Sequence, residues 1–151
     1  MPYLVLNICK HTRPNAETLT ALLENNPNSI GFEFCDLSQK DTLNGYKSKI
    51  KDADVYVVGH GEVTKEAFVD ENNKDIINID KIINWCVDNG ATRLIDTCCY
   101  PKQRLAKVKA LSKSIPYHCK KDLEQPVTPG INKNDTVSGF LKIQGIEQTY
   151  P

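Results

Sequence analysis

Two short apolar runs, each ending on a reactive side chain, limit what this chain can fold into. Val55-Tyr56-Val57-Val58 leads into Gly59-His60-Gly61, and Arg93-Leu94-Ile95 leads into Asp96-Thr97-Cys98-Cys99-Tyr100-Pro101. A near-continuous apolar run marks a parallel strand buried on both faces. Open α/β sheets carry their chemistry in the crevice beyond the carboxyl ends of such strands. If these two strands are neighbours, His60 and Cys98 arrive on one rim.

The rest of the chain supplies elements of the matching kind. Residues 3–9 form a first apolar run. Leu19, Leu22 and Leu23 recur at helical spacing between Ala16 and Asn25, and Asn26-Pro27-Asn28 ends that segment. Residues 29–37 predict a second strand, Asp41 to Lys51 a polar helix with Leu43, Tyr46 and Ile50 inward, and Asp54 to Val58 the third strand. The segment from Glu62 to Lys74 lacks clear periodicity and is compatible with a short hairpin or an irregular lid beside the rim. Ile79, Ile82, Ile83, Cys86 and Val87 follow the pattern of an amphipathic helix that Gly90 ends. Strand four is Thr92 to Thr97, a basic helix spans Lys102 to Ser114, and residues 115–119 make a fifth strand whose Pro116 suggests an edge or a strand start. Val137 to Ile143 reads as an edge strand in a tail, 121–151, otherwise made of loops. This order predicts one α/β domain over residues 1–151, a three-layer sandwich around a mostly parallel sheet with right-handed crossovers.

Composition narrows the function classes. Lys plus Arg total 19, as do Asp plus Glu, so no net charge draws the chain to nucleic acid or to an acidic membrane. The basic helix from Lys102 carries no interleaved aromatic residues, which makes it a solvated face rather than a nucleic-acid footprint. No apolar run approaches the length of a membrane span, and no secretory leader is expected. The six cysteines lack regular spacing, and Cys9, Cys35 and Cys86 sit inside apolar runs, so the thiols are read as reduced and the setting as cytoplasmic. No metal or cofactor is expected: the His and Cys residues, His11 and His118 included, lack the paired spacing of zinc sites.

The chemistry the two strand ends support is thiol catalysis. A thiolate is the attacking species, and a neighbouring imidazole takes its proton. His60 is the expected base and Cys98 the expected nucleophile, with Cys99 competing. Gly59 and Gly61 permit a tight turn and leave an amide free of side-chain cover, which an oxyanion hole needs beside the nucleophile's own amide. A second reading uses Cys98 and Arg104, separated by five residues across a strand-loop-helix passage, as the thiolate and phosphate-holding arginine of a phosphatase. No glycine softens that loop, and His60 then has no task.

An apolar block then His-Gly, followed after a helix by an apolar block then Asp-x-Cys, resembles the caspase-like cysteine peptidases, over about residues 1–120. The resemblance implies a caspase-like fold and peptide-bond hydrolysis, including self-processing, through a Cys98–His60 dyad with no cofactor and a peptide or protein substrate. It also implies that the amides of Gly61 and Cys98 are the oxyanion donors and that Asp96 lines a pocket for a basic residue before the scissile bond, and it is compatible with a homodimer. An inactive interaction module of the same fold is the non-enzymatic alternative.

Overall fold

The computed structural model describes residues 2–25, 32–38, 42–124 and 130–150. Its frame is a mixed, mostly parallel six-stranded sheet. In chain order the strands of that sheet and its helices are β1 (Tyr3–Asn7), α1 (Arg13–Glu24), β2 (Phe32–Asp36), α2 (Thr42–Tyr46) and β3 (Asp54–Val58). A small separate sheet then contributes β4 (His60–Gly61), β5 (Ala67–Val69) and β6 (Asp75–Asn78). After it come α3 (Ile79–Asp88), β7 (Arg93–Asp96), α4 (Lys102–Ala110), β8 (Tyr117–Lys120), α5 (Val137–Ile143) and β9 (Ile146–Tyr150). The large sheet runs β2-β1-β3-β7-β8-β9, parallel except for β9 against β8, and β4-β5-β6 is antiparallel.

Alternation along the strands sorts side chains onto two faces. Leu4, Leu6, Val55, Val57 and Leu94 join one buried cluster under α3 and α4, whereas Tyr3, Val5, Tyr56, Val58 and Ile95 join another under α1 and α5. Both faces are therefore covered by helices, which is why the central strands read as unbroken apolar runs. Among the described residues no helix is long and apolar enough to cross a membrane.

Several sequence expectations need adjustment. The polar helix stops at Tyr46 and tightens into a 3-10 turn over Lys47–Lys49; Asn44 and Gly45 are poor helix formers, and Asp52 follows with φ of 61°. The fifth strand is interior, paired on both sides. Pro116 stands just before it and contributes only its carbonyl, which accepts from the Leu94 amide at 3.0 Å. Val137 to Ile143 is a helix instead of a strand, capped by Thr136, and the edge strand lies beyond it at β9. The unresolved choice at 62–74 falls to a hairpin, whose Phe68 is fully buried. Asn26-Pro27-Asn28, Ile30, Asp41, Pro126 and Pro129 lie outside the described residues.

Candidate functional site

The rim begins with the register of its two central strands. β3 and β7 pair in parallel from Asp54 with Arg93 to Val57 with Asp96, so His60 and Cys99 each stand three residues past the last pair. Beyond β3 the chain turns across β1: a Cβ on Gly59 would lie 2.5 Å from the Ile8 side chain, a spacing only glycine tolerates. Parity then carries side chains outward. Val58 and Ile95 face α1 and α5, and His60 and Cys99 continue that side, whereas Cys98 continues the side of Leu94.

The side chains follow. His60 and Cys99, both half-buried, line a cleft of about 180 Å³ whose other walls include Thr12, Asn15, Thr97 and Phe140. Exposed His11, from the turn after β1, meets His60 beside the cleft. Its Nδ1 lies 2.8 Å from His60 Nε2, one ring donating and the other accepting. Burial lowers the His60 pKa, and the charge of His11 lowers it further against the opposing pull of Glu71 and Asp70. His60 is thereby biased to the neutral imidazole, the form that accepts a proton.

Cys98 is placed differently from the expectation. Its side chain is 1% exposed and belongs to the core cluster beneath α3 and α4; its thiol lies 3.9 Å from the Val57 carbonyl and beside Asp96. Burial, and after it the nearby Asp96 carboxylate, pushes that thiol well above its ordinary pKa. Such a cysteine resists ionisation. Its amide is also engaged, donating to Asp96 Oδ1 at 2.9 Å, which removes it as an oxyanion donor.

Asp96 lies beneath the rim, not among the residues that line the cleft. It is fully buried and accepts from Arg104 Nε at 2.7 Å, from Arg104 Nη2 at 3.2 Å and from the Tyr117 hydroxyl. Arg104 is itself fully buried. Its guanidinium donates to the carbonyls of Cys98, Cys99 and Tyr100 as well, and it stacks over the Phe68 ring at 4.7 Å. Burial, the largest influence, opposes the charge on Arg104, but Asp96, Tyr117 and Cys98 together outweigh it and keep the group protonated. An arginine so occupied cannot also hold a phosphate, which removes the anchor of the phosphatase reading. Gly61 completes the arrangement, because a Cβ there would stand 2.0 Å from the Cys99 carbonyl oxygen and 2.3 Å from Arg104 Nη1. The loop between them is strained at Tyr100, whose φ of 54° is unusual for a bulky residue.

His11 and Arg104 were the residues whose place the sequence signalled least. His11 follows the carboxyl end of a strand adjacent to β3, which was the available signal. Arg104 sits one turn before Val108 on the inward stripe of α4. Among the described residues no three His, Cys, Asp or Glu gather to hold a metal. No family model, curated protein or solved structure matches this chain.

Proposed function

We propose that the protein is a caspase-like cysteine peptidase in which His60 activates Cys99, the neighbour of the cysteine that the motif singles out. The supporting observation is that His60 and Cys99 line one cleft at the carboxyl rim of the sheet. Strand parity gives the physical reason, since it sends Cys98 into the core and Cys99 to the side of His60.

Each step has an owner. His11 engages Nε2 of His60, leaving Nδ1 to take the proton of the Cys99 thiol. The thiolate attacks the carbonyl carbon of the peptide bond, and the oxygen becomes an oxyanion. The Cys98 carbonyl is drawn inward to Arg104, so the planar peptide turns the Cys99 N–H the opposite way, where it serves the oxyanion in place of the Cys98 amide. The amide of Gly61 keeps the role given to it from sequence. As the tetrahedral species collapses, the leaving amine receives the proton from His60; water, deprotonated by the same imidazole, then releases the acyl group from sulfur.

A non-catalytic module of this fold is favoured by one observation, the burial of the motif's own cysteine. Thiol labelling and peptide cleavage separate the two readings. In the peptidase, Cys99 alkylates faster with His60 present than without it. His60→Ala removes that advantage, Cys99→Ala abolishes cleavage of a peptide library, and Cys98→Ala preserves it. A Cys99 that labels at a rate indifferent to His60, in a folded protein that cleaves nothing, overturns the peptidase in favour of the module.

A further inference from the structure

Arg104 touches both segments that carry the proposed chemistry. On one side Nη2 donates to the carbonyls of Cys98 at 3.3 Å and Cys99 at 3.0 Å, and Nη1 to that of Tyr100 at 3.4 Å. On the other side the same Nη1 occupies the space that a Cβ on Gly61 would need, and the guanidinium lies over Phe68, in the strand paired with His60–Gly61. We propose that Arg104 is a positioning residue: held by Asp96 beneath the rim, it ties the Cys99 loop to the His60 strand and fixes the distance between thiol and imidazole. The inference rests on the peptidase reading above.

Energetics favour a positional role over a stabilising one. A buried ion pair is often replaceable by apolar side chains of similar volume without loss of stability. An apolar replacement would fill the space under the rim, yet it could not hold three consecutive carbonyls inward. With those carbonyls released, the left-handed conformation at Tyr100 loses the restraint that Arg104 supplies, and strained backbone persists only where its surroundings impose it. The loop then relaxes, and Cys99 leaves the side of His60.

The test compares Asp96→Leu/Arg104→Met, which removes the clamp without leaving a lone buried charge, and Arg104→Lys, which keeps a cation for Asp96 but reaches fewer carbonyls. In the unaltered protein, hydrogen exchange should show the amides of 60–61 and 99–100 opening as one unit. In either folded variant, both segments should exchange at least about tenfold faster while β1 and β3 stay protected. The rate advantage that His60 gives Cys99 in alkylation, read by adding His60→Ala, should also disappear. Two separate openings in the unaltered protein, loosening of 99–100 alone in a variant, or an undiminished effect of His60 overturns the proposal. If His60→Ala leaves Cys99 alkylation unchanged in the unaltered protein, the peptidase reading fails instead, and hydrogen exchange alone decides whether Arg104 ties the segments.

Discussion

At the scale of single residues, Cys98 and Cys99 differ only in which way the strand throws them. The Asp-x-Cys pattern makes Cys98 share a face with Asp96, and Asp96 is fully buried. That the two share a fate was already legible in the two-residue period of a strand; what was not legible was which face the cleft occupies. The cleft lining answers it, since His60 and Cys99 face one cleft together with Val58 and Phe140. The consequence divides stability from chemistry. Cys98→Ala empties part of the core and should cost about 1 kcal/mol by chemical denaturation, while cleavage by the folded protein persists. Cys99→Ala, at the half-buried cleft wall, should leave the denaturation midpoint nearly unmoved.

At the scale of elements, apolar runs made β1, β3 and β7 readable because a sheet covered on both faces leaves little polar surface along its strands. The helix α3 was equally plain, with Asn78 accepting from the Asp80 amide as its cap and Gly90 beyond its end at φ of 79°. Helix α5 misled because Val137, Phe140 and Ile143 have strand-like side chains. Its true signal lay in spacing: Val137, Phe140 and Leu141 pack on one cluster at i, i+3 and i+4, while Ile143 is 68% exposed. The Thr136 hydroxyl accepts from the Gly139 amide at 3.0 Å. Thr136→Ala should therefore lower unfolding free energy by about 1 kcal/mol, measured by urea titration. A strand at this position would show no such dependence.

At the scale of the whole molecule, two half-buried histidines link stability to pH. Burial lowers the pKa of His60, and it lowers that of His118, where the charge of Arg93 adds to the effect. The unfolded chain therefore binds protons before the folded one does. Stability from both groups is present above the ordinary value near 6.5 and is lost as pH falls through the lower folded values. Thermal scans between pH 7 and 5 should show a falling midpoint, and His118→Gln should flatten that fall without altering the effect of His60→Ala on the rate of Cys99 alkylation.

The guanidinium under the rim also constrains how such a chain drifts over generations. It joins α4 to the loop after β7, to Asp96, and through the bare backbone of Gly61 to the smaller sheet, while Tyr117 on β8 shares its carboxylate. Loss of Asp96 or of Arg104 alone strands a buried charge, so the two must be inherited together. Position 61 stays glycine even in a descendant that has lost both, because the Cys99 carbonyl closes its space as well.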